Sequence, residues 1–342
     1  MPRLARLACL FSLLCAITGQ AAVYPPESGT DRESDAYFAA TERYLSTLDL
    51  NDDSIEFERL GGTTATNWAV KKDGKTVANL KCTSGNTNHH GAVIAYRLGR
   101  EFGSRIYPVA VYRDVDRRIG DRQVSEQCAL KEWDSVFTQY YWTRDTFAST
   151  DSADKRRLIA ALDCRQPGPS AADEFRYYAR SAYGDPGIPG TRRAPYVGTT
   201  NLLRAARDFS NMMVVDVLIG NEDRFPGGNL FFRSVTTAYS LADGTVTFDD
   251  ARLFSLDNEA AFKARGPSST HAARDLENHV SRFDQAMIED LRALAADPAR
   301  LAAISDGNEA VVAFIREGMG IVLERHAAAG RRCGEEMALF PE

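Results

Sequence analysis

The run Gly220-Asn221-Glu222-Asp223-Arg224-Phe225-Pro226-Gly227-Gly228-Asn229 puts a carboxylate and, six residues on, an amide on one loop. An aspartate so placed can accept or orient a hydroxyl proton. An asparagine amide oxygen can ligate a hard divalent cation, and phosphoryl transfer needs both tasks done. Further on, Leu256-Asp257-Asn258 supplies a second carboxylate at the end of a strand pattern. It can hold the magnesium or manganese that bridges nucleotide phosphates. Upstream, Gly61-Gly62-Thr63-Thr64 lies between two strand patterns, where backbone N–H groups can approach phosphate. Lys81, at the end of Val77-Ala78-Asn79-Leu80, can reach the α- and β-phosphates. Taken singly, each residue type is ordinary at a turn or strand end. Their order along the chain carries the reading.

The elements that must position these groups are legible from periodicity and caps. Ser34 caps a helix to about Leu48 with Tyr37, Tyr44, Leu45 and Leu48 as its apolar stripe. Short strands follow at Ile55–Leu60, Asn67–Lys71 and Thr76–Lys81, and Asp73-Gly74 marks a hairpin between the last two. A helix from His89 to Phe102 and a strand around Tyr107–Tyr112 complete the first half. Residues 113–199 read as mainly helical, with helices at Lys155–Leu162 and Ala171–Tyr183 and a Pro- and Gly-rich loop at Gly184–Gly198. A buried helix runs from Thr200 to Ile219 and leads into the aspartate loop. Strands at Leu230–Arg233, Thr245–Phe248 and Leu253–Leu256 precede helices at Ala272–Ala295 and Glu309–His326. No internal repeat is present.

On these pieces the sequence resembles the secretory-pathway atypical kinases typified by the Golgi casein kinase and the four-jointed kinase. Phosphoinositide kinases and bacterial toxin kinases are their more distant kin. The matching segments are Leu60-Gly61-Gly62-Thr63, Val77 to Lys81, Ile94-Ala95-Tyr96-Arg97-Leu98, Asp216 to Arg224, and Leu256-Asp257-Asn258 with Phe262. Together they cover roughly residues 55–110 and 200–290 and leave the middle unmatched. The resemblance implies an α+β, two-lobed atypical protein-kinase-like fold with a strand-rich N-lobe and a helical C-lobe. It assigns Lys81 as the nucleotide lysine, Asp223 as the catalytic aspartate and Asp257 as a metal ligand.

Two departures from the family pattern stand out. Ala92 occupies the position of the glutamate that pairs with the lysine, and the next acid on that helix, Glu101, lies about 13 Å further along the axis. Lys81 must then be held by another carboxylate, or the nucleotide binds differently, or the protein is a pseudokinase. Asn229 follows Asp223 by six residues where five is usual, an extra residue that Gly227-Gly228 can absorb as a bulge.

Composition limits the alternatives. With 41 Lys+Arg against 47 Asp+Glu, the net charge of −6 argues against nucleic acid as a partner. Arg3 and Arg6, the apolar run Leu7–Ile17 and the small residues around Ala21 read as a cleaved signal peptide. No later stretch is long enough to insert stably in a membrane. Its loss removes Cys9 and Cys15 and leaves Cys82, Cys128, Cys164 and Cys333, an even set that suits two disulfides in an exported chain with three pairings open. Asp216 reads as a structural hydrogen-bonding group, His89-His90 as a solvated helix start, and Phe137-Tyr140-Tyr141-Trp142 as helical core. There is no GxSxG elbow and no HExxH.

The expected organisation is therefore a signal peptide (1–21), a flexible leader (22–33), an N-lobe (34–112), a helical insert and linker (113–199) and a catalytic C-lobe (200–342). The expected activity is transfer of the γ-phosphoryl group of ATP, with Mg or Mn, to a hydroxyl of a secreted protein or glycan. In that expectation Gly61, Gly62 and Lys81 bind nucleotide, Asp223 orients the acceptor, and Asn229 and Asp257 bind metal. The setting is secreted, periplasmic or the lumen of a secretory pathway. The competing expectations are a secreted pseudokinase scaffold and a disulfide-stabilised binding module.

Overall fold

The structure is a computed structural model and describes residues 34–60, 66–83, 88–133, 153–170, 172–179, 196–224, 230–234, 239–242, 245–248, 251–255, 258–263 and 265–341. The signal and leader, the glycine turn at Gly61-Gly62, the aromatic run at 137–142, Asn229 and Asp257 all lie outside these residues.

The first half is an antiparallel five-stranded sheet with two helices. Helix α1 (Asp35–Thr47) starts at Ser34, whose hydroxyl accepts from the Tyr37 N–H at 3.1 Å. Strands β1 (Ile55–Arg59), β2 (Thr66–Lys72) and β3 (Lys75–Cys82) follow, and Asp73 and Gly74 turn the hairpin at φ 51° and 74°. Helix α2 (His89–Glu101) is capped by Asn88, whose side chain accepts from the His90 N–H. Strands β4 (Ala110–Ile119) and β5 (Arg122–Glu132) enter the same sheet, in the order β1-β2-β3-β5-β4. Trp68, Val70, Ala78, Leu80 and Leu130 form one core with Phe38 and Leu45 of α1.

The second half is mostly helical. Helix α3 (Ala153–Ala161) and the ribbon β6 (Glu174–Ala179)–β7 (Tyr196–Asn201) lead to α4 (Leu202–Ile219). Helix α4 buries nearly every side chain, so it is the axis of the second core. The strands β8 (Leu230–Ser234), β9 (Tyr239–Ala242), β10 (Thr245–Phe248) and β11 (Ala251–Ser255) pair as two ribbons, β8 with β11 and β9 with β10. Helices α5 (His271–His279), α6 (Gln285–Ala296), α7 (Pro298–Ile304) and α8 (Glu309–Cys333) close the chain. Gly318 of α8 lies against α4, where a Cβ would sit 3.0 Å from the Leu218 Cα.

The architecture is the mixed, two-part arrangement expected, with three corrections. Residues 113–132 are strand where helix was expected: Val115, Ile119, Val124 and Cys128 are buried on one sheet face, while Asp114, Asp116, Arg118, Gln123 and Ser125 on the other are exposed. The sheet of the first half therefore runs on past Tyr112 to Glu132. Residues 174–179, inside the expected 171–183 helix, are also strand, paired with β7. Finally, the single helix expected at 272–295 is broken at Val280–Asp284. There the buried Arg282 donates to the carbonyls of Ala161 (2.7 Å) and Gln166 (2.6 Å), and the Asp284 side chain restarts the helix by accepting from the Ala286 N–H.

Two disulfides fix the pairing that sequence left open. Cys82–Cys128 joins β3 to β5, and Cys164–Cys333 ties the end of α8 to the chain after α3. Among the described residues no helix is long and apolar enough to cross a membrane.

Candidate functional site

Helix α4 ends where the chemistry was expected to begin. Gly220 is its left-handed cap at φ 63°, and a Cβ there would run into the Phe314 ring, so the tight exit requires glycine. Asn221 turns the chain back. Its N–H bonds the Asp216 carbonyl at 2.9 Å, its side chain donates to the Asp216 carboxylate at 3.0 Å, and its side-chain oxygen accepts from the Asp223 N–H at 3.2 Å. Asp223 is thereby held by its backbone at the end of this turn and is half-buried. Glu222 beside it receives the N–H of His271 and lies 2.8 Å from the His271 ring, fixing the loop to the start of α5.

Arg224 locks the loop to the strand that leads to Asp257. Its guanidinium, 2% exposed, grips the fully buried Asp216 carboxylate with two bonds of 2.8 Å. The same group donates to the Ser255 hydroxyl and the Asn258 amide oxygen, each at 2.7 Å. Ser255 and Asn258 flank residues 256–257, so one buried cation joins the Asp223 turn to both sides of the Asp257 position. Backbone bonds add to the seam: Glu222 N–H to the Ala260 carbonyl at 3.3 Å and Phe262 N–H to the Ile219 carbonyl at 2.8 Å. Asp216 thus has the structural role expected of it.

The segment after Asp257 also faces the sheet. Glu259, 2% exposed, places one carboxylate oxygen 2.8 Å from the Lys81 ammonium and the other 3.1 Å from that of Lys131. Its carbonyl accepts from the Asn88 N–H at 2.7 Å, at the start of α2, and Ser255 N–H bonds the Ile106 carbonyl at 2.8 Å. Helix α2 comes so close that a Cβ on Gly91 would collide with the Asn258 carbonyl oxygen. The next residue is Ala92, 2% exposed. A glycine on the helix and a glutamate on the facing segment make one arrangement: Lys81 has a carboxylate, delivered from the opposite side. Glu101, too far along α2 to serve, pairs with Arg300.

The start of α2 is packed, not solvated as expected. His89 is 8% exposed, its Nδ1 lies 2.6 Å from the Thr83 hydroxyl, and its ring is 4.2 Å from that of His90. His90 Nδ1 is 2.8 Å from the Tyr112 hydroxyl. Burial, reinforced by the neighbouring His90, pushes the His89 pKa down to about 4. Both rings are therefore neutral near pH 7.

Of the predicted site residues, the structure brings Lys81 and the Asp223 turn onto one segment, 255–262. Gly61, Gly62, Asn229 and Asp257 fall outside the described residues. Among the described residues no group of three or more His, Cys, Asp or Glu is placed to hold a metal ion. Two participants were missed. Glu259 carried a signal, being two residues past Asp257, but acids were sought only on the helix. Lys131 was hidden by the helical reading of its region, although Ala129 and Lys131 alternate as a strand face does.

No protein-family model and no curated protein matches this sequence. Solved structures do. The chain superposes on the crystal structure of the Golgi casein kinase with a TM-score of 0.55 at 13% identity, covering 90% of this chain and 80% of that one. A hydra Fam20 structure with sugar gives 0.49 at 12% identity over 90% and 93%. The Golgi casein kinase with Mn and ADP bound gives 0.47 at 13% over 88% and 77%. The fold is that of the Golgi casein kinase, an atypical kinase fold.

Proposed function

We propose that this chain is an exported kinase that transfers the γ-phosphoryl group of ATP to a hydroxyl of a secreted protein or glycan. The observation that carries the reading is the segment 255–262, which holds the nucleotide lysine through Glu259 and the Asp223 turn through Arg224 and backbone bonds. Two buried ammonium groups on one carboxylate suit the phosphates of a nucleotide better than an uncharged ligand. Glu259 fixes Lys81 in place before nucleotide arrives, so little ordering is left to be done on binding. Asp223, held by Asn221, is the group to orient the acceptor hydroxyl and take its proton. Asp257 and Asn229 are the proposed ligands of Mg or Mn, which when bound would neutralise charge on the phosphates. Catalysis on this plan comes from positioning and charge, not from covalent chemistry by the protein.

The pseudokinase alternative drew its support from Ala92, and Glu259 weakens that ground. Two disulfides in the folded chain favour an oxidising compartment.

The decisive experiment is ATP turnover by oxidised protein lacking residues 1–21, with Mg²⁺ and then Mn²⁺, beside Asp223→Ala. Metal-dependent turnover that falls at least 100-fold in the variant, with unchanged thermal stability, is expected. Metal-dependent ATP binding without turnover, tested with secreted-protein and glycan acceptors, would make the protein a nucleotide-binding scaffold. Neither binding nor turnover would sink the nucleotide reading.

A further inference from the structure

The side of the sheet that bears Lys81 and Lys131 carries more polar groups than phosphate binding uses. The register pairs Asn67 of β2 with Lys81 of β3, and Lys81 with Ala129 of β5. It also pairs Ala69 with Asn79, and Asn79 with Lys131. Because residues two apart share a face, these six side chains form a two-by-three patch on one side of the sheet. Lys81 and Lys131 both reach Glu259, so this is the side turned to the segment after Asp257. The opposite face, with Trp68, Leu80 and Leu130, belongs to the α1 core.

Asn67 and Asn79 are buried in this patch, 6% and 8% exposed, and neither side-chain oxygen has a hydrogen-bond partner among the described residues. A buried amide oxygen without a donor destabilises the free protein, and it is repaid only if a bound molecule brings the donor. Apolar side chains would serve the sheet better at both places. Ala69 and Ala129 beside them, with no polar side-chain atom, offer the amides no donor.

We propose that Asn67 and Asn79 are recognition residues that accept hydrogen bonds from O–H or N–H groups on the nucleoside part of the bound nucleotide. This rests on the kinase reading above, since Lys81 and Lys131 locate the phosphate end. Asn79 stands two residues from Lys81 along β3, about 7 Å, which places the nucleoside end alongside the lysines on the same face. The chemistry required is donor groups next to an anionic group, as the ribose hydroxyls or an exocyclic amine of a nucleoside triphosphate provide. Such a site discriminates by omission: an analogue without the donor leaves a buried acceptor unpaired and binds worse.

The test uses the full exported chain with Mn²⁺. Affinities are measured for ATP, 2′-deoxy-ATP, 3′-deoxy-ATP and purine riboside triphosphate, for the wild type, Asn79→Leu and Asn67→Leu. Wild type is expected to lose 10-fold or more on at least one analogue. Each leucine variant should bind ATP 10- to 100-fold more weakly. At least one should treat ATP and the disfavoured analogue alike, with a nucleotide-free melting temperature equal to or above that of wild type. Leucine variants that melt lower yet bind ATP normally would overturn the proposal, because the amides would then be structural. Equal affinity of wild type for all four nucleotides would overturn it too, even if a variant failed to fold. Absence of any ATP binding by wild type would overturn the kinase reading and this one together, whereas binding without discrimination overturns this one alone.

Discussion

Two buried ionic clusters meet at the segment 255–262, and they are built differently. Around Arg224, one guanidinium faces one carboxylate with two bonds, and the Ser255 and Asn258 oxygens take further donors. Its partners all come from the second half of the chain. Around Glu259, one carboxylate serves two ammonium groups from neighbouring strands, and the same sheet face carries two amide oxygens without a hydrogen-bond partner among the described residues. The first cluster is organised as a fastener, and on the proposed function the second is a receptor. A buried pair matched in charge and geometry holds backbone in place, whereas a buried acceptor without a donor is costly unless a ligand supplies one.

Breaking the fastener should have the largest effect on stability. Asp216→Ala strands the Arg224 charge in a buried site, and such a loss costs about 3–5 kcal/mol. Thermal unfolding should show a drop of roughly 6–20 °C at about 2–4 °C per kcal/mol. A change within a degree or two would remove the distinction between the clusters. Glu259→Gln should act mainly on binding, weakening ATP by about 10- to 100-fold, or about 1.4–2.8 kcal/mol, as read by calorimetry. If Glu259→Gln instead unfolds the protein like Asp216→Ala and leaves affinity intact, both clusters are fasteners.

The effect most confined in its conditions, to acidic pH, is expected at the start of α2. His89 has a folded pKa of about 4 against an ordinary value of 6.5. Between those values the unfolded chain binds a proton that the folded chain does not, so stability falls as pH drops from about 6.5 to about 4. Melting temperatures measured across this window should decline less in His89→Asn than in wild type. Identical slopes would mean that the ring is not held neutral by its packing.

Much of the layout was legible because periodicity and caps are local. Ser34, Asp73-Gly74 and the apolar length of α4 each marked an element that the structure contains. The run from Asp216 to Arg224 was recognisable since its tight exit from the helix needs a glycine and its turn needs an asparagine. Residues 113–132 were misread because Arg113, Arg117, Arg122 and Glu126 share a face with Val115, Ile119, Val124 and Cys128, and these charges interrupt the period-2 pattern. The break at 280–284 was invisible because its cause is Arg282 bonding carbonyls more than 110 residues away.

The sequence by itself determined the candidate lysine and aspartate, the hairpin, the buried helix and the even set of cysteines. Those follow from residue types and short spacings. Which carboxylate serves Lys81, which cysteines pair, and which asparagines share a face with the lysines were decided by tertiary structure alone. Glu259 and Lys81 stand 178 positions apart, and no local rule relates them. They meet because Gly91 lets α2 approach the 258–261 segment, while the β3–β5 register brings Lys131 beside Lys81. A contact of that kind is set by packing and register, and only the folded chain holds both.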